Sequence, residues 1–223
     1  MRIGIVRFLG TNCDFDCKYA CDVLGVESDF IWHEEQKIDG FDVVILPGGF
    51  SYGDYLRCGA LAKFSPVMKA IREFAKKGGY VMGICNGFQI LLESGLLKGS
   101  LLRNKNLRFI HKDVHLRVEN SRCYFTKGLE GKTLKMPIAH GDGNYFCSED
   151  YLKYLQDNEM IVLRYASKDG NPSDECNPNG SIYNIAGICN ESGNVFGLMP
   201  HPERAVGDLG SDGEYIWARL LGG

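Results

Sequence analysis

No part of this chain offers the roughly 20 consecutive apolar residues that a bilayer-crossing helix needs, which excludes a helical membrane span. The opening MRIGIVRFLG is too short, and too soon interrupted by Arg7, to act as a signal peptide, so a cytoplasmic protein is expected. Positive charge is not in excess. There are 25 Lys and Arg against 28 Asp and Glu, a formal net charge of −3, and no electrostatic reason to expect nucleic acid. One basic segment, RNKNLRFIHKDVHLR (103 to 117), reads as a solvated face or a protein contact. The nine cysteines are odd in number and include no CxxC pair, so a disulfide framework is not expected. Cys13, Cys17 and Cys21 recur every fourth residue, on one face of a helix, but without CxxC spacing or a neighbouring histidine they do not suggest a metal. With no internal repeat and no dividing linker, residues 1–223 are read as one domain.

What is present is a rhythm. The runs RIGIVRF, SDFIW, DVVIL and YVMGIC are short and apolar, as strands covered on both sides should be. Between them lie the helical patterns CDFDCKYACDVLG, SPVMKAIREFAKKGG and FQILLESG. The expected fold is α/β, a mostly parallel sheet flanked by helices and joined by right-handed crossovers. Lys76, Lys77, Gly78 and Gly79 mark the end of a helix over 65 to 77. From about residue 100 the pattern alternates, in DVHLRVEN, MIVLRYAS, IYNIAGICN and NVFGLM, which predicts added antiparallel or mixed strands, the last two as a hairpin. SKDGNPSDECNPNGS (167 to 181) is rich in turn formers and reads as a surface loop.

Chemistry concentrates at strand ends. In GICNG (83 to 87) a cysteine stands between glycines where a strand gives way to a helix, the pattern of a nucleophile elbow. At such a turn Cys85 sits over a helix amino terminus, whose dipole and free N–H groups favour thiolate and can hold an oxyanion. A cysteine that cleaves an acyl bond needs a base, and the base an orienting partner. Two histidines have one: His140, with Asp142 two residues on, and His201, with Glu203 two residues on. His201 is favoured, because it follows the strand NVFGLM and so emerges at the same sheet edge as Cys85. In an extended HPE segment, residues two apart point the same way, so Glu203 can lie along the ring. The glycine pair of LPGGFSYGDYLR (46 to 57) follows DVVIL and can turn backbone N–H groups toward a ligand at that edge.

Together, LPGGFSYGDYLR, GICNGFQIL, PIAHGDGNY and GLMPHPERA resemble the class I (triad) glutamine amidotransferases over nearly the whole chain, and so imply a flavodoxin-like fold. FSYGDYLR, VEN and PIAHG narrow the resemblance to the branch that supplies the glutaminase subunits of phosphoribosylformylglycinamidine synthases in purine biosynthesis. The resemblance implies that Cys85 attacks the side-chain amide of L-glutamine, forming a thioester and releasing ammonia. His201 would act as base and then acid, with Glu203 orienting it. The backbone N–H groups of Gly49 and Asn86 would hold the oxyanion, and Gln89 and Ser51 would bind substrate. Since the family assigns no base to PIAHG, His140 is left with a substrate-adjacent or interface role. The chain has no P-loop, and the resemblance implies no cofactor here. ATP, magnesium and formylglycinamide ribonucleotide would belong to a large synthetase subunit, with a small third subunit completing the assembly. Two departures from the family pattern, FLGTNCD and Cys58 in YLRCGA, are expected to leave the triad untouched. A thiol hydrolase of the dienelactone-hydrolase type would share the elbow, but it carries its acid before its histidine, whereas Glu203 follows His201.

Overall fold

The computed structural model describes residues 1–120, 122–210 and 212–221. Four strands, β1 (Arg2–Arg7), β2 (Glu27–Trp32), β3 (Val43–Leu46) and β4 (Tyr80–Ile84), form with the helices α1 (Asp14–Val23) and α2 (Pro66–Lys76) the first half of the chain. α2 ends as its sequence predicts, with Gly78 in the left-handed region at φ 91° and its N–H returned to Ala75 O. It buries Val67, Met68, Ile71 and Ala75, one stripe of a 3.6-residue repeat. α3 (Asn86–Glu93) differs. Asn86 to Leu92 are all buried, so this helix is an internal element rather than an amphipathic cover.

The second half adds β5 (Ser100–Leu102), β6 (Ile110–Val118), β7 (Thr133–His140), β8 (Asn144–Phe146), α4 (Glu149–Asp157), β9 (Ile161–Ala166), β10 (Ile185–Cys189), β11 (Val195–Leu198) and the short α5 (Glu214–Trp217). Nine strands make one sheet in the order β2-β1-β3-β4-β11-β10-β9-β6-β7, and β5 and β8 pair apart from it. Strands β2 to β11 in that order are parallel, and from β11 onward every pairing is antiparallel. The mostly parallel α/β sheet with added antiparallel strands is therefore present, and so is the β10–β11 hairpin. Asn190 Oδ1 accepts from the N–H groups of Asn194 and Val195 to close its turn.

The register decides where the chemistry gathers. Leu46 lies opposite Gly83 and Leu198 opposite Ile84, so β3, β4 and β11 end at one level. The glycine turn after β3, Cys85 after β4 and His201 after β11 all leave the sheet at this carboxyl edge.

Two sequence expectations need correction. The 167–181 segment is a surface loop only in part: Asn179 and Ser181 are buried, and Asn179 Nδ2 donates to Gly143 O (2.8 Å) and to the Tyr165 hydroxyl (3.1 Å). Turn-forming residues carry side-chain amides as well as loose backbone, and here they tie the loop inward. The basic segment is likewise divided: β6 is a paired strand, while Arg103, Leu107, Arg108 and Phe109 before it line the cavity described next.

Candidate active site

Cys85 occupies φ 50°, ψ −103°, a conformation that side-chain-bearing residues rarely adopt. The fold holds it there from both sides. Its N–H donates to Leu198 O at 2.8 Å, and its carbonyl accepts from Gln89 N at 3.1 Å as the first turn of α3. The flanking glycines are sterically required: a Cβ on Gly87 would lie 1.9 Å from Leu46 O, and one on Gly83 would lie 2.6 Å from Gly87 O. The thiol faces the end of β7, with Sγ 3.6 Å from Ala139 O. As the first residue of α3, Asn86 carries an amide that has no acceptor within the helix.

His201 and Glu203 are both sealed from solvent. Nδ1 of His201 and Oε1 of Glu203 are 2.6 Å apart, and the His201 N–H donates to Pro137 O at 2.9 Å, which anchors the turn to β7. Burial by itself lowers the affinity of His201 for a proton, but the Glu203 carboxylate and the neighbouring Cys85 and Cys13 thiols outweigh it and hold its pKa well above the usual imidazole value. His201 Nε2 has no partner of its own at hydrogen-bonding geometry among the described residues; it is the nitrogen left to meet Cys85 and substrate. A Cβ on Gly48 would touch His201 Cε1 (2.9 Å), Cys13 Sγ (3.0 Å) and Cys85 Cβ (3.5 Å), so the glycine turn packs directly against all three.

Cys13 overturns one sequence reading. It has a histidine neighbour after all, because β11 delivers His201 to the amino end of α1. Cys13, His201 and Glu203 each bring a potential ligand atom within 4.8 Å of the others. Arg204 Nη2 donates to Cys13 Sγ at 3.2 Å and its Nε to Asp16 Oδ2 at 2.9 Å, fastening the HPER turn to that helix.

These groups open onto a cavity of about 380 Å³ whose wall includes Gly49, Cys85, Gln89, His140, Asp142 and His201, a size suited to a small metabolite. A larger depression of about 730 Å³ along Lys98, Tyr151 and Tyr154 contains none of them. Of the two residues expected to bind substrate, Gln89 lines the cavity but its backbone N–H is used within α3. Ser51 does not line it: the residue is buried behind the wall and its N–H donates to Asn86 Oδ1 at 3.1 Å. Asn86 Nδ2 in turn donates to Gln89 Oε1 (2.8 Å), and Gln89 Nε2 to Asp142 O (2.8 Å). This chain of amides joins the β3 turn, α3 and the loop after β7.

His140 borders the same cavity in a different state from His201. Asn104 Nδ2 donates to Arg108 O and His140 O, so Asn104 Oδ1 is the acceptor, and His140 Nδ1 must donate to it at 3.0 Å. Burial, with the charge of His201 nearby, lowers the His140 pKa to about 4, leaving a neutral ring at physiological pH. Cys58, expected to stand apart from the triad, also reaches the cavity wall and donates to Asp142 Oδ2 at 3.1 Å. Cys13, Cys58 and Asn104 meet Arg204, Asp142 and His140 far along the chain, contacts that local sequence does not signal.

A sheet edge that brings an elbow cysteine to a buried histidine–carboxylate pair is an arrangement able to carry thiol-based cleavage of an amide. Residues 1–212 match the model of the CobB/CobQ-like glutamine amidotransferase domain. The chain is 54% identical to phosphoribosylformylglycinamidine synthase subunit PurQ of Salinibacter ruber, over 99% of this chain and 95% of that one. It is also 54% identical to the subunit of the same name from Campylobacter jejuni, over 95% and 92%. Among solved structures it is similar to PurLQS from Thermotoga maritima, at 45% identity and a TM-score of 0.86, covering 99% of this chain and 97% of that one. A putative GMP synthase protein from Thermoplasma acidophilum, at 17% identity and a TM-score of 0.68 over 100% and 92%, shares the fold. The chain belongs to the PurQ family of glutamine amidotransferases.

Proposed function

We infer that this protein is the glutaminase subunit of a phosphoribosylformylglycinamidine synthase, with Cys85, His201 and Glu203 carrying the hydrolysis of L-glutamine. The observation that carries the residue assignment is the buried His201–Glu203 pair on the same sheet edge as the strained Cys85. Cys85 Sγ, its proton passed to His201, attacks the side-chain amide carbon, and the N–H groups of Gly49 and Asn86 receive the developing oxyanion. A His201 that keeps its proton near neutral pH supplies the acid that the departing nitrogen needs. Ammonia leaves and a glutamyl thioester remains. Water then attacks the thioester, His201 collects its proton, and glutamate departs with Sγ restored. Glu203 keeps the imidazole oriented and balances its charge.

The ammonia is consumed elsewhere. In water it protonates and loses its nucleophilicity, so it must pass under cover to a second site. The cavity mouth favours such a cover, because Phe50, Leu107 and Phe109 line it and stay 51%, 72% and 57% exposed. The partner in this reading is a large synthetase subunit that uses ATP and magnesium on formylglycinamide ribonucleotide, joined by a small third subunit. This chain then needs no cofactor of its own.

The test is Cys85→Ala in the reconstituted complex. Glutamine-dependent synthesis should be abolished while synthesis from supplied ammonia persists; equal loss with both nitrogen sources would contradict the assignment.

A further inference from the structure

Two histidines border the cavity, and hydrolysis by the triad uses only His201. Three contacts fix the state of the other, His140. Its Nδ1–H donates to Asn104 Oδ1 at 3.0 Å, its carbonyl accepts from Asn104 Nδ2 at 2.8 Å, and Gly143 closes over the ring so tightly that a Cβ there would lie 2.3 Å from both Nδ1 and Cε1. A neutral imidazole with its proton on Nδ1 keeps a bare lone pair on Nε2. That nitrogen is buried and has no hydrogen-bond partner among the described residues. An acceptor buried without a donor is costly, so this one calls for a ligand that brings an N–H or O–H.

The reaction supplies such a donor on this side of the cavity. Cys85 Sγ lies 3.6 Å from the carbonyl oxygen of Ala139, the residue that precedes His140. The oxyanion goes to the N–H groups of Gly49 and Asn86, which follow β3 and open α3. The nitrogen on the same tetrahedral carbon is thereby left to the β7 side, where Pro137 O holds the His201 N–H at 2.9 Å and where Ala139 and His140 form the wall. His201 gives this nitrogen a proton. His140 has none to give, because burial and the charge of His201 outweigh Asp142 and hold its pKa at about 4. We propose that His140 Nε2 accepts a hydrogen bond from the amide nitrogen of glutamine and then from the ammonia it becomes, making His140 a second catalytic histidine that holds the nitrogen without exchanging a proton with it. This deepens the glutaminase reading and rests on it. The C–N bond breaks as His201 protonates the nitrogen, and NH3 departs with one N–H toward His140 and its lone pair free for the second site.

The experiment uses the full chain in its complex and compares His140→Leu, which removes the acceptor, with His140→Gln, whose side-chain oxygen restores one. Asn104 Oδ1 keeps the Gly143 N–H (3.1 Å) in both, so neither change strands it. Two quantities are read, glutaminase kcat/KM and the glutamate released per product formed by the synthetase. His140→Leu should lower kcat/KM roughly 3- to 10-fold, the worth of one neutral hydrogen bond, and raise the glutamate-to-product ratio as ammonia escapes. His140→Gln should recover most of both. Synthesis from supplied ammonia and alkylation of Cys85 by iodoacetamide should match the parent protein, showing that both sites are assembled. If His140→Leu fails that control, His140→Asn takes its place, with a donor where Nδ1 was and nothing where Nε2 was. An acceptor-less variant that leaves either quantity at the parental value, or one that His140→Gln does not improve upon, would overturn the role. A parent complex that frees no glutamate from glutamine would instead overturn the glutaminase reading beneath it.

Discussion

Glu203 Oε1 lies 2.6 Å from Nδ1 of His201, and neither side chain is open to solvent. A buried carboxylate beside a buried ring ties protonation, orientation and stability together. Replacing Glu203 by Gln keeps the shape and removes the charge. Glutaminase kcat should fall roughly 10²- to 10⁴-fold, and the alkaline limb of the pH profile should move to lower pH as His201 loses its main support. The sign for stability follows from the raised value. Charged His201 stabilises the fold fully below its unfolded pKa of about 6.5 and ceases to do so as pH rises through its higher folded value. The parent protein should therefore lose stability with alkalinity across that window more steeply than Glu203→Gln, as urea titrations at several pH values would measure.

His140 has the opposite sign. Its folded value of about 4 lies below the unfolded one, so the unfolded chain takes up a proton first as the solution is acidified. Stability should drop between about pH 6.5 and 4, by roughly 3 kcal/mol at most from this group. His140→Gln, which can still donate to Asn104, should flatten that decline; an unchanged acid limb would show that the ring is not held neutral.

Thiol reactivity should follow position. Burial, then the carboxylates Asp142 and Asp54, push the Cys58 pKa far up, so this thiol stays protonated. Cys85 stands at the cavity wall beside His201. A glutamine-like electrophile should label Cys85 first, and peptide mapping that found Cys58 or Cys13 modified ahead of it would count against the site.

Gly87→Ala tests the elbow itself. The new Cβ would meet the carbonyl of Leu46, which is strand backbone and cannot step aside. A stability loss of roughly 2–4 kcal/mol is expected in denaturant titration, together with loss of glutaminase activity.

The β-branched runs, the glycines around Cys85 and the HPE turn could be read directly from the order of residues, because strand covering, helix stops and tight turns are decided within a few neighbours. That is why the α/β sheet, the hairpin and the three strand-end motifs were all foreseeable. The surroundings of those motifs were not. Cys13 meets Arg204 across 191 positions and Cys58 meets Asp142 across 84. Asn179 leaves a loop of turn formers to bond Gly143 and Tyr165. Such contacts depend on which strands become neighbours, and insertion of β11 beside β4 sets that for His201 and everything packed against it. Local propensity carries no information about strand order, so the shape of the cavity and the distribution of its charges exist only once the sheet has closed around α3.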